Sequence, residues 1–303
     1  MSDLRTGIVL QARSGRHEVE DGDGVVYCQV RGRLKQEKLY TDLVATGDMV
    51  RWRPTRLGRG VIEEILPRET QLSRLRPGPQ RVPIEHVIVA NPDQAIFIFS
   101  VREPSPRPRM LDRLLVLAEN NDLPAIICAN KIDLLDDGDE HRKILSIYEQ
   151  IGYPVIYTSA RTGQGVDQLR ELLAGKLSVL SGPSGVGKTS LLNAVQPELG
   201  LKTRQISDAT GKGRHTTVSV RLWPLGGGGY VADTPGLREA GLWDIEPEEV
   251  AWHFVEMRPY LSDCRFSTCT HTHEPDCAVK KAVQAGAISE MRYDSYCRLL
   301  AGD

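Results

Sequence analysis

Few short runs leave a chain so little choice of fold as Gly182-Pro183-Ser184-Gly185-Val186-Gly187-Lys188-Thr189, which is followed by Ser190. It fits GxxxxGK[ST] and sits between an apolar strand-like run, KLSVLSG, and a helix-like run, SLLNAV. The glycines let backbone N–H groups curl around phosphate oxygens, and the helix N-terminus adds partial positive charge. Lys188 reaches the β- and γ-phosphates, and Thr189 offers its hydroxyl to Mg2+. A strand, a glycine turn and a helix in that order belong to βαβ architecture, so the neighbouring chain must supply a parallel sheet with helices on both faces.

The neighbouring chain reads that way. DQAIFIFSV, PAIICAN and PVIYTSA alternate as strands with the helical runs RMLDRLLVLAENN, HRKILSIYEQIG and GVDQLRELLAG. TTVSVRLWPL and GGYVADTPG, joined by Gly226 to Gly229, predict a closing hairpin. Before this region, Thr6 to about Leu66 breaks into short β-branched runs separated by Gly and Asp, the pattern of a small all-β barrel. The Pro-rich stretch PRETQLSRLRPGPQRVP reads as an exposed linker, with a boundary near residue 80. From about Gly241 a short helical tail follows. The expected domains are therefore 1–80, 81–240 and 241–303.

Three further runs specify the chemistry. Asp233-Thr-Pro-Gly236 ends a strand, so its carboxylate can hold Mg2+ through water while the Gly236 N–H meets a γ-phosphate. Asn130-Lys131-Ile132-Asp133 ends the strand PAIICA, and Thr158-Ser159-Ala160 ends PVIY. A carboxylate at Asp133 accepts from both N1–H and the 2-amino group of guanine, whereas adenine offers no such donors. An unpaired polar group in such a site discriminates on the order of 10⁴-fold. Asn130 braces the loops, the Lys131 stem covers the base, and backbone N–H groups around Ser159 and Ala160 meet the guanine O6. Between the phosphate loop and Asp233 lies DATGKGRHTTVSV, where Thr216 or Thr217 supplies another Mg2+ ligand. Leu237 follows Gly236 where Ras-like enzymes carry their water-orienting glutamine. His215 is the candidate to replace it, because imidazole can position water or take its proton near neutral pH. The bland alternative is an exposed loop histidine.

Asn130 precedes Gly182 by 52 residues, the reverse of the Ras-like order. The GTPase is expected to be circularly permuted, which leaves a sheet intact when the original termini lie close together.

Composition narrows the setting. The 303 residues carry a formal charge of −2, but residues 1–81 hold 15 Lys and Arg against 11 Asp and Glu. Arginines such as Arg31, Arg33, Arg51, Arg53, Arg56 and Arg59 make RNA a plausible partner of the barrel. No apolar run approaches a membrane span, and no secretory signal opens the chain, so a cytoplasmic protein with no membrane partner is expected. Cys264-x₄-Cys269-x-His271-x₅-Cys277 supplies three sulfurs and one nitrogen, a closed tetrahedral set for one structural zinc ion, with His273 as a rival ligand. Cys28, Cys128 and Cys297 lack clustered partners and read as small buried apolar residues.

With the barrel, NKID, TSA, GPSGVGKTS, GRHTT, DTPG and CRFSTCTHTHEPDC in that order, nearly the whole chain resembles the RsgA family of circularly permuted GTPases. The resemblance implies a multidomain protein with an N-terminal RNA-binding OB-fold barrel, a central α/β P-loop GTPase and a mostly helical zinc-binding C-terminal domain. It implies GTP hydrolysis to GDP and phosphate, stimulated by the small (30S) ribosomal subunit late in that subunit's maturation. It further implies contact with the subunit's rRNA, a monomer, and a catalytic role for His215. Two other readings are an RNA-binding assembly scaffold that uses GTP only as a binding switch, and a permuted GTPase of large-subunit assembly.

Overall fold

The computed structural model describes residues 4–13, 15–32, 43–55, 58–77, 83–136, 140–201, 220–234 and 245–302. Five strands build the N-terminal barrel: β1 (Arg5–Arg13), β2 (Arg16–Glu20), β3 (Val25–Val30), β4 (Met49–Pro54) and β5 (Arg59–Ile65). They pair in the order β1-β2-β3-β5-β4, and β4 returns to β1 to close the cylinder. Val9, Val19, Cys28, Val50, Trp52 and Ile62 fill it. Gly60 is obligatory here, since a Cβ would fall 2.5 Å from the Trp52 ring and 2.6 Å from Cys28 Sγ.

The segment expected to be an exposed linker is instead paired. β6 (Gln71–Pro77) and β7 (Pro83–Ala90) form an antiparallel two-stranded sheet, and Leu72, Val87 and Val89 are buried. The β-branched run Val87-Ile88-Val89 carries a strand signal that the prolines mask, and Pro77 and Pro83 lie at the end of the pairing nearest the connection.

Next come β8 (Gln94–Ser100), α1 (Pro108–Asn120), β9 (Ala125–Asn130), α2 (Glu140–Gln150), β10 (Val155–Thr158), α3 (Val166–Leu173), β11 (Lys176–Ser181), α4 (Lys188–Val195), β12 (Arg221–Pro224) and β13 (Gly229–Asp233). Strands β10-β9-β8-β11-β13 are parallel neighbours, and β12 runs antiparallel to β13 as the expected hairpin. β11, which leads into the phosphate loop, sits centrally, although it is the fourth of these strands in chain order; this is the permutation seen in space. β8 is buried throughout, as both faces of a helix-covered sheet require. Its residues alternate between two cores: Ala95, Phe97 and Phe99 pack with Leu111, Leu114 and Tyr148, while Ile96 and Ile98 pack with Leu169, Leu191 and Leu192. Each of the Phe, Leu and Ile side chains contributes roughly 1.5–3 kcal/mol through burial.

The hairpin also joins the barrel, because Gln11 on β1 pairs with Arg221 on β12. The tail holds a 3-10 turn at Val250–His253, α5 (Arg258–Leu261), α6 (Ala278–Gln284) and α7 (Glu290–Ala301). Phe254, Met257, Val279, Ile288 and Tyr296 form its core, completed by Val116 from α1. Among the described residues no helix is long and apolar enough to cross a membrane.

Candidate nucleotide and metal sites

The phosphate loop runs from the end of β11 into the start of α4, and its glycines are needed for shape. Gly182 adopts φ 149°, and a Cβ there would lie 2.0 Å from the Ile98 carbonyl oxygen. Gly187 adopts φ 93° and caps α4, where a Cβ would meet Asn130 Nδ2 at 2.4 Å. Pro183 and Val186 are buried, whereas Ser184, Gly185 and Ser190 are exposed. Lys188 is 6% exposed, and its ammonium donates to the carbonyls of Gly182 (2.7 Å) and Pro183 (2.8 Å).

Asn130 binds the separate loops together. Its Nδ2 donates to the Val186 carbonyl at 2.7 Å, and its Oδ1 accepts from Thr158 Oγ1 at 3.2 Å. Both bonds are buried, and an unmade buried bond costs about 1–3 kcal/mol, so the brace fixes the phosphate loop against both base-reading loops. Lys131 has φ 65° and opens a 3-10 turn, Ile132–Leu134, in which Ile132 is half-buried. Its ammonium donates to the Glu103 carbonyl, and its stem passes beside Gly187.

Asp133 accepts a 2.5 Å hydrogen bond from Ser159 Oγ and pairs with Arg161 Nε at 2.8 Å. The Ser159 hydroxyl, aided by the Arg161 charge, holds the Asp133 carboxyl below the ordinary aspartate value. Ser159 is buried, and Ala160 is half-buried. Gly165 adopts φ 69° where a Cβ would strike the Tyr157 carbonyl at 2.1 Å, so the loop folds back tightly behind Ser159. The roles of Arg161 and the Glu103 carbonyl were not read from sequence. Adjacency to TSA could have singled out Arg161, whereas a backbone carbonyl from another loop leaves no sequence signal.

Asp233 ends β13 in register with Leu180 of β11, beside the start of the phosphate loop. Thr234 is buried, with its hydroxyl donating to the Leu180 carbonyl at 3.2 Å. Thr189 on α4 offers a hydroxyl and Asp233 a carboxylate, hard oxygen donors of the type that suits Mg2+. His215, Thr216, Thr217 and Gly236 lie outside the described residues.

In the tail, Cys264, Cys269, His271 and Cys277 bring their ligand atoms within 4.8 Å of one another. Cys264 Sγ and Cys277 Sγ are 3.9 Å apart, and each lies 3.4 Å from His271 Nδ1. A tetrahedral zinc site with Zn–S bonds of ~2.3 Å has ligand–ligand edges of about 3.8 Å, so the donor set fits Zn2+. Burial lowers the His271 pKa, which favours the neutral imidazole that a metal needs, and burial pushes the Cys269 thiol up to about 12. The Tyr293 and Tyr296 hydroxyls on α7 donate to the carbonyls of His271 and Thr270, both at 2.7 Å, and so tie the loop to the helix. His273 is exposed and outside the cluster. Cys28 and Cys128 are buried as expected, while Cys297 is only half-buried.

The basic barrel surface is less free than its composition implied. Arg31 and Arg53 pair with Glu63, and Arg51 pairs with Glu64. Arg33 and Arg56 lie outside the described residues.

A family model described as RsgA GTPase matches residues 65–243. The Small ribosomal subunit biogenesis GTPase RsgA of Gemmatimonas aurantiaca is 46% identical over 302 residues, covering 99% of this chain and 97% of that protein. The protein of the same name from Moorella thermoacetica is 44% identical over 295 residues, covering 97% and 96%. Among solved structures, YjeQ from Thermotoga maritima superposes with a TM-score of 0.78 at 38% identity, covering 99% of this chain and 98% of that one. YloQ, described as a circularly permuted GTPase, gives 0.73 at 35% identity, covering 99% and 94%.

Proposed function

The chain belongs to the RsgA GTPase family, and from that premise we propose that it hydrolyses GTP in response to the small ribosomal subunit, late in that subunit's maturation. The observation that supports the nucleotide reading is the Asn130 brace, which couples the phosphate loop to both loops expected to read guanine. Residues 182–190 cradle the phosphates with Lys188 on the β- and γ-oxygens. Asp133 selects the base, with Lys131 and Ile132 beside it and the N–H groups near Ser159 and Ala160 at O6. Mg2+ supplies charge neutralisation at the phosphates, held by Thr189, by Thr216 or Thr217 and, through water, by Asp233. His215 orients the attacking water, and Gly236 contacts the γ-phosphate.

The working division is a barrel unit over 1–80, the GTPase over 81–240 and a zinc unit over 241–303, with the β6–β7 pair bridging the first boundary, acting as a cytoplasmic monomer. The barrel and zinc units hold rRNA, and hydrolysis loosens their grip. One zinc ion on Cys264, Cys269, His271 and Cys277 is structural, because four protein ligands leave no place for a substrate water.

GTP and ATP turnover measured with and without purified 30S subunits tests this reading. GTP-selective turnover that rises with subunits is expected. Turnover indifferent to the subunit, or equal use of ATP, overturns it. Lys188→Ala separates the enzyme from the scaffold, since a scaffold with this substitution still docks on and leaves the subunit normally.

A further inference from the structure

The Asp133 carboxylate is contacted at both of its oxygens. Oδ1 accepts from Ser159 Oγ at 2.5 Å, and Oδ2 lies 2.8 Å from Arg161 Nε. The two partners are held very differently. Ser159 is buried, with its N–H donating to the Gln164 carbonyl and its carbonyl accepting from the Gly163 N–H, both at 2.9 Å. Its Oγ also accepts from the Thr162 N–H at 3.2 Å. Arg161 keeps 74% of its side chain in solvent, whereas the Asp133 side chain beneath it is only 10% exposed. The hydroxyl is therefore a fixed part of the loop. The guanidinium covers the carboxylate from the water side and can return to water at little cost.

Guanine has to reach the same carboxylate from that side. Its N1–H and 2-amino group need one acceptor site on each oxygen, and an ionised carboxylate offers about two per oxygen. A small hydroxyl on Oδ1 leaves room for the base. A planar guanidinium on Oδ2 fills the approach, so the second bond to guanine forms only as Arg161 swings out. The other cation at this turn is engaged elsewhere, since the Lys131 ammonium donates to the Glu103 carbonyl. Adenine brings no donor to Asp133 and leaves the ion pair as it stands.

We propose that Arg161 is a built-in competitor of guanine: its guanidinium and the base exchange for Oδ2 of Asp133, which lowers the affinity for GTP and GDP alike and narrows the margin over adenine nucleotides. The inference rests on the reading of Asp133 as the guanine acceptor. Because the contested atom lies at the base, the ratio of GTP to GDP affinity is untouched. Product GDP is held less tightly than the uncontested carboxylate would hold it.

The test is calorimetric titration of the full chain with GDP, a non-hydrolysable GTP analogue and ADP. Arg161→Met keeps the stem and removes the donor. It is expected to tighten GDP and the GTP analogue equally, by roughly two- to fivefold, the worth of one exposed ion pair, and to leave ADP unchanged. The gain should shrink as salt is raised through roughly 0.1–1 M, because an exposed pair is screened. Arg161→Lys can still pair with Asp133 and is expected to stay near the unaltered protein. Loss of a positive charge beside an anionic ligand weakens binding by itself, so a gain in affinity is the signature of competition. Weaker or unmoved GDP binding in R161M overturns the proposal, and so does a gain shared by ADP, which would not pass through Asp133. Asp133→Asn keeps the two levels apart: unchanged GDP affinity in D133N removes the base reading of Asp133 and this inference with it, whereas weakened D133N beside an unmoved R161M removes the inference alone.

Discussion

Arg292 Nη1 lies 2.6 Å from Asp112 Oδ1, and neither side chain is exposed to solvent. The contact ties α7 of the tail to α1 of the GTPase. Arg292 also grips Glu256 through Nε at 2.6 Å and Nη2 at 3.1 Å, and it sits 4.5 Å from the centre of the Phe254 ring. Tyr148 on α2 donates to Asp112 at 2.7 Å and completes the enclosure. Removing one member of a buried pair strands the others, at a cost of about 3–5 kcal/mol. Arg292→Met is therefore expected to lose about that much stability in chemical denaturation, although its apolar volume is similar. Glu119 with Arg258 forms a second, more exposed link between the same two units. Arg258→Ala is expected to cost no more than about 1 kcal/mol from the ion pair.

Asp133 carries a pH prediction. Its folded pKa lies below the ordinary aspartate value because Ser159 donates to it and Arg161 stands beside it. A depressed carboxyl pKa contributes stability and ligand competence above the unfolded value near ~3.9, and both are lost as pH falls through the folded value. Guanine-nucleotide affinity should therefore hold to a lower pH than an unassisted aspartate allows. Ser159→Ala removes the leading cause, so the acid limb of GDP binding should move upward in pH, read as dissociation constants across a pH series. A limb that stays in place would show that Ser159 does not tune this carboxylate.

These two contacts also mark how far the sequence could be read. The placing of Asn130 at the end of β9, of Asp133 in the turn that follows and of Lys188 at the start of α4 was legible, because the phosphate and base chemistry dictates their spacing. Strand β8 was legible as an unbroken apolar run, the pattern of a strand covered on both faces. Arg292 was not legible. A lone arginine in a polar helix looks solvated, and nothing local announces that Asp112, 180 residues earlier, lies opposite it. Arg221 on β12 was hidden for the same reason, since its partners, Glu18 on β2 at 2.8 Å and Gln11 on β1 at 3.3 Å, come from the barrel. The paired strands over 71–90 were obscured by the prolines at their turn, which weaken a strand pattern without forbidding an edge pairing.

The tail gives a metal prediction. Its core is small, built around Phe254, Met257 and Tyr296, and the loop bearing Cys269 and His271 has no regular secondary structure of its own. Ion binding in such a loop is coupled to folding. Stripping the metal with a strong chelator, or replacing Cys277 by Ser, is expected to unfold the loop and expose the tail. The expected reading is one equivalent of zinc in the intact protein by elemental analysis, with chelation giving a lower unfolding midpoint. Nucleotide affinity should be largely retained, because the base-reading loops hang on Asn130 and not on the tail. His273→Ala should leave zinc content unchanged, since its ring stands outside the cluster.

His215 carries the remaining chemical prediction. The residue after Gly236 is Leu237, whose side chain can neither donate to water nor accept from it. Water orientation must then come from another group, and a neutral imidazole can accept the nucleophile's proton or hold its position at neutral pH. General-base or positioning assistance of this kind contributes roughly 10²–10⁴-fold. His215→Ala is expected to lower subunit-stimulated GTP turnover by that order while leaving GTP and GDP dissociation constants in place. Single-turnover measurements with saturating subunits separate the chemical step from product release. His215→Gln tests the role itself: an amide can orient water but cannot take a proton, so partial recovery identifies positioning, and no recovery identifies proton transfer. Unchanged turnover in the alanine variant would return His215 to the status of an ordinary loop histidine.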